Sequence, residues 1–278
     1  MAAERLVVLV PGASRPIGRA IARRFGANGA VLILPVFSDW PESTAEMEEE
    51  FSTAGYRFHF RPCDLTKPAD VVELCRFVAD TYGSLQVVIN NIERGGMPVV
   101  HGGYHQEVNR HQWQLEVETT LHAKFLLFRH TLPLLKASGN GSVVTISSIA
   151  GLVGRSGPAS LLFAEGYAAA NRAIGTLTEQ WAREGAPTVR VNEVMLGLVD
   201  GRHGESTRGW SLLSDAQRRA LLDHTLLRRT GTPNEVAELV HFVAMQAGFL
   251  TGATIRADGG YCLGGEAVAP LPPGVLAP

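Results

Sequence analysis

The sequence predicts an α/β fold in which a doubly wound parallel sheet lies between two layers of helices. Short apolar runs of strand length alternate with segments of helical periodicity along most of the chain, which is the pattern of β-α-β units. Several of these runs are continuously apolar, as in Leu6–Val10 and Ala30–Val36. Continuous apolar runs are typical of strands that are buried on both faces, as the strands of a parallel sheet are.

The first unit is a buried strand at Leu6–Val10, a turn that carries Gly12 and Gly18, and a helix whose apolar residues run to Phe25. The N-terminus of a helix carries unpaired N–H groups and a partial positive charge. This unit therefore predicts a cradle for a phosphate or pyrophosphate group. The alternative is an ordinary strand–helix unit, because a glycine turn by itself is a weak signal.

The remaining elements continue the alternation. The predicted strands are Ala30–Val36, Tyr56–Arg61, Leu85–Asn90, Gly141–Ser147, Val189–Val194 and Ala253–Ala257. The predicted helices are Pro41–Ala54, Asp70–Tyr82, Gln112–Leu134, Tyr167–Arg183 and Pro233–Gln246, with a loop at Glu93–His111. Ligands of doubly wound sheets bind at the carboxyl ends of the strands, and four residues at such ends are expected to line one crevice. They are Gly12, Asp64, Asn90 and Ser148.

The composition indicates a globular protein with a sizeable core, since 45% of the 278 residues are hydrophobic and 19% are charged. We expect one domain over residues 1–265 and an extended tail, rich in proline and alanine, over residues 266–278. The net charge of −2 gives no electrostatic reason to expect binding to nucleic acid or to an anionic membrane.

The sequence also suggests a cytoplasmic location. No signal peptide is visible, and no run approaches the roughly 20 apolar residues of a membrane span. Cys63, Cys75 and Cys262 are odd in number and lack disulfide or metal spacing, which fits a reducing compartment. The histidines of the Glu93–His111 loop lack ligand-like partners, so no metal site is expected.

Six segments carry motifs that fit this organisation. They are Pro11–Gly18, Cys63–Thr66, Asn90–Glu93, Ile146–Gly151, Arg229–Glu238 and Thr251–Gly260. Their sequences and order resemble the short-chain dehydrogenase/reductase family, in the branch that includes the 3-oxoacyl-carrier-protein reductases. The first stands where that family has Thr-Gly-x-x-x-Gly-x-Gly, and the third where it has Asn-Asn-Ala-Gly. The resemblance covers about residues 5–265 and implies a Rossmann-like, three-layer α/β/α fold.

The resemblance implies hydride transfer between a nicotinamide and a carbonyl or alcohol carbon. In that family a tyrosine exchanges the proton, and a serine holds the substrate oxygen. A lysine one helical turn after the tyrosine binds the nicotinamide ribose and lowers the pKa of the tyrosine, and an asparagine on the preceding long helix completes a water-linked relay. By resemblance Ser148 is the serine and Tyr167 the tyrosine, while Asn171 and Thr120 stand at the lysine and asparagine positions.

These assignments include departures from the family pattern. Leu161 stands at the usual tyrosine spacing after Ser148, so placing the tyrosine at Tyr167 requires an insertion within residues 155–166. Asn171 can bind a ribose hydroxyl, but it carries no charge that would stabilise a tyrosinate. An unperturbed phenol has a pKa of about 10, so only about one part in a thousand is ionised at neutral pH. We therefore expect alcohol oxidation to be impaired more than carbonyl reduction, which uses the neutral phenol.

The resemblance also implies a set of cofactor-binding residues. They are Gly12, Ser14, Arg15, Ile17, Gly18, Asp64, Leu65, Asn90, Tyr167, Asn171, Gly197 and Val199. Arg15 stands where NADP-using members are often basic, and Val36 where NAD-preferring members carry an acidic residue, so NADP(H) is favoured over NAD(H). Pro16 removes one N–H donor from the cradle. Glu93 replaces a glycine near the expected nicotinamide, and it either intrudes on the cofactor site or points to solvent.

The preferred hypothesis is an NADP(H)-dependent reductase of a small ketone or 3-oxoacyl-type carbonyl, with an atypical active site. The alternatives are a catalytically impaired binding or scaffold subunit and a non-redox enzyme on the same fold. The resemblance implies a segment at Gly201–Thr225 that closes over substrate, with Trp210, Leu212 and Leu213 as an apolar wall. It also implies a homotetramer or homodimer built on the two long helices that begin at Gln112 and Tyr167.

Overall fold

The computed structural model describes residues 6–37, 41–95, 97–201, 207–266, 268 and 270. Within these residues the strands form a seven-stranded sheet in the order β3-β2-β1-β4-β5-β6-β7, and every neighbouring pair is parallel. In chain order, β1 to β7 are Val7–Leu9, Val31–Val36, Arg57–Pro62, Val87–Asn90, Gly141–Ser148, Val189–Leu196 and Thr254–Ala257. The strand order reverses direction at β1, as it does in a doubly wound sheet.

Helices follow the strands. In chain order, α1 to α11 are Pro16–Ala27, Pro41–Thr53, Pro68–Tyr82, Pro98–His101, Gln112–Val117, Ala123–Ala137, Ala150–Val153, Glu165–Gly185, Arg208–Ser211, Asp215–His224 and Pro233–Met245. Single 3₁₀ turns lie at Glu107–Asn109, Pro158–Leu161 and Tyr261–Leu263, and a π-helical turn at Glu118–His122 joins α5 to α6.

A hydrophobic core lies on each face of the sheet. On one face Phe25 of α1 and Val240 of α11 pack against apolar strand residues. On the other face Phe128 of α6 and Trp181 of α8 stack with ring centroids 4.5 Å apart, beside Val78 of α3. The two cores make a three-layer α/β/α arrangement, and the predicted Rossmann-like fold is confirmed.

The reversal of strand order brings the first turn against the end of β4. The Asn91 side chain donates a hydrogen bond of 3.3 Å from Nδ2 to the Pro11 carbonyl. Gly12 has φ of +66°, and a Cβ on Gly18 would lie 2.2 Å from the Gly12 carbonyl oxygen, so helix α1 starts against the turn only with glycine there. The ends of β1 and β4 therefore lie side by side, and the crevice that is expected there stays a prediction.

The structure corrects several predicted boundaries. The long helix continues beyond Leu134 to Ala137, because the buried Leu135 still packs into the core and Pro133 is tolerated inside the helix. The predicted loop at Glu93–His111 contains the short helix α4 and a 3₁₀ turn. Strand β5 extends to Ser148, which is its last residue and does not follow it.

No helix of the described residues combines the length and the hydrophobicity that a membrane span requires. Residues 202–206 of the predicted closing segment, and nearly all of the predicted tail, lie outside the described part of the chain. The domain boundary at residue 265 therefore stays a prediction.

Candidate active site

Ser148, Tyr167 and Asn171 come together at the carboxyl end of β5. Tyr167 is the third residue of α8 and is fully buried, while Asn171 lies one turn later on the same helix. Burial raises the pKa of the Tyr167 hydroxyl well above its usual value, and hydrogen bonding with Ser148 and Asn171 opposes that rise in part. Three of the side chains that the sequence assigns to the site thus lie together.

Glu93 lies against the tyrosine. The Tyr167 hydroxyl donates a hydrogen bond of 2.8 Å to Glu93 Oε2, and the Glu93 side chain is only 1% exposed. Of the two alternatives for Glu93, orientation toward solvent is therefore wrong. Gly95, two residues after Glu93, covers the Tyr167 ring, because a Cβ on Gly95 would lie 3.4 Å from the ring.

Lys124 pairs with the other oxygen of the same carboxylate. Its Nζ lies 3.2 Å from Glu93 Oε1 and donates a hydrogen bond of 2.6 Å to the Ile146 carbonyl, and the side chain is fully buried. Burial lowers the pKa of the Lys124 ammonium to about 7, although the charge of Glu193 opposes the shift. The sequence analysis missed Lys124. A charged residue one turn after Thr120, within an apolar helical stretch, was the available signal.

Three polar side chains on one face of the long helix support this site. Glu116, Thr120 and Lys124 follow at intervals of four residues, and each is fully buried. Thr120 lies in the π-helical turn, where its Oγ1 accepts a hydrogen bond of 3.1 Å from the Arg94 N–H and donates one of 3.2 Å to the Arg94 carbonyl. Thr120 therefore anchors the backbone next to Glu93, and its role in a proton relay stays a prediction.

Glu116 fixes the start of α8, and the sequence analysis also missed it. Its Oε2 accepts hydrogen bonds from the Tyr167 N–H at 3.0 Å and from the Tyr104 hydroxyl at 2.6 Å, and the Tyr104 oxygen accepts from the Gly166 N–H at 2.8 Å. The N-cap residue Ala164 has no side-chain cap of its own. Glu116 thus supplies a carboxylate at the helix N-terminus, where the first N–H groups need a partner.

Arg15 and Pro16 lie at the mouth of the phosphate cradle. The first turn of α1 holds no acidic residue, and a cleft of about 450 Å³ opens beside it, next to Arg15 and Arg19. Burial and the nearby Arg19 charge lower the pKa of the Arg15 guanidinium. Pro16 begins the helix and packs close to Gly201, whose added Cβ would lie 2.8 Å from the proline ring.

Asp64 forms a turn at the end of β3. Its Oδ1 accepts hydrogen bonds from the Thr66 N–H at 3.1 Å and the Thr66 hydroxyl at 2.6 Å, and Lys67 Nζ lies 3.4 Å from Oδ2. Partial burial opposes ionisation, but the contacts with Thr66 and Lys67 lower the pKa of the Asp64 carboxyl. The described contacts of Asp64 are those of a turn-forming carboxylate, and its contact with adenine stays a prediction.

The other predicted cofactor residues differ in how much of each is open to a ligand. Ile17, Leu65 and Val199 have buried side chains, so only their backbone groups are available to a ligand. Gly197 is packed against Asp258, because an added Cβ would lie 2.6 Å from the Asp258 Cα. Ser14 borders the cleft beside the α1 N-terminus.

Three asparagine side chains at the end of β4 and in α8 carry buried amide oxygens. Among the described residues, Oδ1 of Asn90, Asn91 and Asn171 has no hydrogen-bond partner. Their amide nitrogens do have partners, since Asn90 donates to the Lys124 carbonyl at 3.0 Å and Asn171 to the Tyr167 carbonyl at 3.0 Å. Buried acceptors without a partner are costly, so these oxygens are suited to hydroxyl or amide donors of a ligand.

Two of the three residues of the predicted apolar wall are buried, and their contact with substrate stays a prediction. Trp210 and Leu213 are buried in the same cluster as Tyr167. Leu212 instead is 52% exposed, because the short helix α9 turns its neighbours inward and leaves this side chain at the surface.

Comparisons with known proteins agree with this architecture. A family model described as enoyl-(acyl carrier protein) reductase matches residues 12–262. A 3-oxoacyl-acyl-carrier-protein reductase from Vibrio cholerae is 29% identical, with 92% of this chain and 97% of that protein covered. A cis-4-hydroxycyclohexanecarboxylate dehydrogenase from Sinomonas cyclohexanicum is 31% identical, with 93% and 97% covered.

A tropinone reductase homologue from Arabidopsis thaliana is 30% identical, with 96% of this chain and 94% of that protein covered. Among solved structures, a Burkholderia xenovorans protein assigned to the short-chain dehydrogenases/reductases superposes with a TM-score of 0.77 at 26% identity, covering 94% of this chain and all of that one. The sheet order, the glycine turn and matches over nearly the whole sequence lead to one conclusion: the chain belongs to the short-chain dehydrogenase/reductase family of oxidoreductases.

Proposed function

We propose that the protein is an NADP(H)-dependent oxidoreductase that reduces a small ketone or 3-oxoacyl-type carbonyl. Tyr167 is the proton donor, and Ser148 holds the substrate oxygen. The observation that carries this proposal is the meeting of Ser148, Tyr167 and Asn171 at the end of β5. The similarity to reductases and a dehydrogenase over more than nine-tenths of the chain supports it.

The residues present fit a dinucleotide cofactor. The positive φ of Gly12 and the close packing at Gly18 expose the start of α1 to a pyrophosphate, and the first turn carries no opposing negative charge. Asn171 Oδ1 is a buried acceptor without a described partner, at the position where a ribose hydroxyl is expected. When bound, the nicotinamide supplies the hydride of the reaction.

Arg15 carries the proposed preference for NADP(H). It lies at the cleft beside the α1 N-terminus together with Arg19, whose Nη2 donates to the Ser14 carbonyl at 3.1 Å. The Arg19 guanidinium is also bound by Glu46 Oε2 at 3.3 Å and by the Ser43 carbonyl at 2.5 Å, so Arg15 is the cation of the two that favours the additional phosphate of NADP(H). Charge-assisted hydrogen bonds from guanidinium to phosphate are strong.

The chemistry of Tyr167 favours reduction. Because burial raises its pKa, the phenol stays protonated at neutral pH and is available as an acid. Its O–H bond breaks as the proton moves to the substrate oxygen, which Ser148 orients by hydrogen bonding. The reverse reaction requires a phenolate, and the uncharged Asn171 does not stabilise one.

A substrate reaches Tyr167 only after a rearrangement. The tyrosine is fully buried, its hydroxyl contacts Glu93, and Gly95 lies on its ring. The productive complex therefore requires the residues around Gly95 to move off the tyrosine ring, as covering segments of active sites do in other enzymes, while Glu93 keeps its contact with the hydroxyl.

The same enclosure favours one alternative function, a binding or scaffold subunit on the same fold. In that case the residues around Gly95 cover Tyr167 permanently and no substrate reaches its hydroxyl. The charged partner that the family's tyrosine has at the Asn171 position is also missing.

Titration of purified protein with NADPH and NADH, followed by cofactor fluorescence, separates these functions. The reductase binds NADPH more tightly than NADH and consumes it with one or more members of a panel of ketones and 3-oxoacyl thioesters. Replacing Tyr167→Phe then lowers turnover by about 10²–10⁴-fold with little change in NADPH affinity. Absence of binding at millimolar cofactor contradicts the reductase, and binding without turnover on the panel supports the scaffold.

The assembly and location follow from the same resemblance. We propose a homodimer or homotetramer in which the long helices around Gln112–Leu134 and Tyr167–Arg183 meet, and Trp113 on the first of them is 46% exposed. Light scattering on the purified protein measures the mass of the assembly. The cytoplasmic location stays a prediction.

A further inference from the structure

We propose that Glu93 and Lys124 form a proton relay to Tyr167, which takes the place of the lysine that is missing at position 171. Both are positioning residues for the proton donor, and they act through it. The inference rests on the proposed carbonyl reduction, and it assigns to this chain a relay made of its own side chains.

Tyr167, Glu93 and Lys124 are connected by direct contacts. An unbroken chain of contacts runs from the Tyr167 hydroxyl to Glu93 Oε2 at 2.8 Å and from Glu93 Oε1 to Lys124 Nζ at 3.2 Å. It ends at the Ile146 carbonyl, which accepts from Lys124 at 2.6 Å. Each link is short enough for a proton to pass directly between the groups.

These three side chains are enclosed by the protein. The side chains of Tyr167, Glu93 and Lys124 are at most 1% exposed, so bulk water does not compete for the proton. Thr120 holds the backbone at Arg94 through two hydrogen bonds, and this fixes the segment that carries Glu93. A buried ion pair of this kind is seldom retained for stability alone, because a well-packed apolar pair is often equally stable.

Two acidic residues face Lys124 from elements that pack against its helix. Glu93 faces it from the segment after β4, and Glu193 acts on it from β6. Glu193 is itself held by the Ser147 hydroxyl and by the Thr254 hydroxyl at 2.6 Å. Two turns earlier on the same long helix, Glu116 is engaged by Tyr104 and by the start of α8.

These surroundings suit proton exchange at neutral pH. The pKa of the Lys124 ammonium, about 7, lies where a proton reservoir works best, since both of its forms are then populated. An ordinary lysine, with a pKa of about 10.4, would hold its proton too tightly for the purpose.

The relay returns a proton to Tyr167 as the substrate is protonated. Lys124 Nζ gives a proton to the Glu93 carboxylate and changes from ammonium to amine. As the Tyr167 O–H bond breaks and the substrate O–H bond forms, the resulting carboxyl group of Glu93 passes a proton to the Tyr167 oxygen and becomes a carboxylate again. The hydride for the carbonyl carbon comes from the nicotinamide cofactor of the proposed function, and Lys124 regains a proton from solvent while the residues around Gly95 are open for product release.

The first test is NMR of the free protein with ¹³C at lysine Cε and tyrosine Cζ. Lys67 and Lys136 are the other lysines of the chain, both exposed, and they serve as internal references. We expect the Lys124 resonance to titrate near pH 7 and the Tyr167 resonance, assigned with Tyr167→Phe, to follow with the same midpoint. If the Tyr167 resonance does not change with pH while Lys124 titrates, the relay is contradicted.

Two variants guard this test against a folding defect. Lys124→Met alone leaves Glu93 buried without its cation, whereas Glu93→Gln with Lys124→Met leaves a neutral pair of similar size. The double variant is expected to fold. Its Tyr167 resonance is expected to lose the change in chemical shift near pH 7. If the Tyr167 resonance of the folded double variant still changes near pH 7, the change does not come from Glu93 and Lys124, and the proposal fails.

The second test is the pH profile of turnover. Relative to wild type, the double variant is expected to lower kcat on the order of 10²-fold at neutral pH, with KM little changed, and to lose the inflection near pH 7. Lys136→Met, at an exposed position of the same helix, leaves the profile unchanged. A double variant with the wild-type profile contradicts the relay.

The outcomes separate the two proposals. If wild type neither binds NADPH nor reduces carbonyls, the proposed function fails whatever the NMR shows. If wild type is an active reductase whose Tyr167 resonance ignores Lys124, the relay alone fails.

Discussion

The Tyr167 hydroxyl and the Glu93 carboxylate form a buried hydrogen bond of 2.8 Å. The tyrosine that would protonate a substrate therefore faces a carboxylate, and this carboxylate is in turn paired with Lys124. In a low-dielectric interior such a carboxylate holds the tyrosine in its protonated form. The tyrosine is consequently in the form that can give a proton, and it is poorly set up to take one.

Restoring the family's lysine tests the role of Lys124. In a background with Glu93→Gln and Lys124→Met, Asn171→Lys returns a positive charge next to Tyr167, so turnover is expected to recover by about 10-fold or more. In the wild-type background the gain is smaller, because Lys124 already provides a charge. Steady-state kinetics measure both, and Asn171→Gln is the uncharged control. Equal gains in the two backgrounds would show that Lys124 does not act on Tyr167.

The Glu93–Lys124 pair is coupled in stability. Lys124→Met leaves an uncompensated buried carboxylate and is expected to lower the free energy of unfolding by about 3–5 kcal/mol. Adding Glu93→Gln to the same chain recovers most of this loss, since a neutral pair of similar volume replaces the ion pair. Urea denaturation of the four chains gives the double-mutant cycle. Strict additivity of the two single effects would show that the pair does not interact.

The stability of the fold depends on pH through Lys124. Its pKa is about 7 in the folded state and about 10.4 when unfolded, so the unfolded chain binds more protons between these values. The free energy of unfolding is therefore expected to rise from pH 7 upward, by at most about 1.4 kcal/mol per pH unit.

Buried thiols limit the pH range in which the contribution of Lys124 to the free energy of unfolding can be measured. Burial raises the pKa of Cys63 and Cys75 to about 12, which opposes the rise once unfolded thiols ionise above about pH 8.5. Urea titrations of wild type and of the variant with Glu93→Gln and Lys124→Met, between neutral pH and this limit, isolate the lysine contribution. A parallel pH dependence in the two proteins would refute the assignment.

Glu116 stabilises the start of α8. Replacing Glu116→Ala leaves the Tyr167 N–H without its carboxylate partner, and we expect the free energy of unfolding to fall by about 1–3 kcal/mol. Turnover falls as well, because Tyr167 lies in the first turn of that helix. Glu118→Ala, which removes a partly exposed carboxylate of the same long helix, is the matched control in denaturation and kinetic measurements. An equal loss in both variants would remove the special role of Glu116.

Arg15 discriminates between the two nicotinamide cofactors under the proposed function. Arg15→Ala is expected to weaken NADPH binding by about 10- to 100-fold, equivalent to a charged hydrogen bond of about 1.5–3 kcal/mol, and to leave NADH binding nearly unchanged. Fluorescence titration measures both affinities. Arg76→Ala, far from the cradle on α3 and paired there with Glu73, provides the control. Equal weakening of both cofactors would place Arg15 on a phosphate that they share.

The sequence predicted the fold well because the signals that determine it are local. Continuous apolar strands, the glycine turn at Gly12 and Gly18, and proline at the first turn of α1 and α11 each leave a pattern within one element. Ser148, Tyr167 and Asn171 could be located for a similar reason. Each lies in a motif whose order along the chain resembles the family's.

The supporting polar residues could not be predicted in the same way. Glu93 and Lys124 lie 31 positions apart, and only the packing of the long helix against the ends of β4 and β5 brings them together. Glu116 caps a helix that begins 49 residues later, and a cap supplied by another element leaves no local signal. The exposure of Leu212 was mispredicted for the same reason, since it depends on how α9 packs and not on hydrophobicity.

The most direct measurement of the central claim is the rate of NADPH consumption by wild type and by Tyr167→Phe, with a panel of ketones and 3-oxoacyl thioesters at neutral pH. We predict turnover by wild type that falls by about 10²–10⁴-fold in Tyr167→Phe while NADPH binding is retained. Equal rates in the two proteins, or a wild type that binds NADPH and reduces no member of the panel, would contradict the assignment of Tyr167 as the proton donor of a carbonyl reductase.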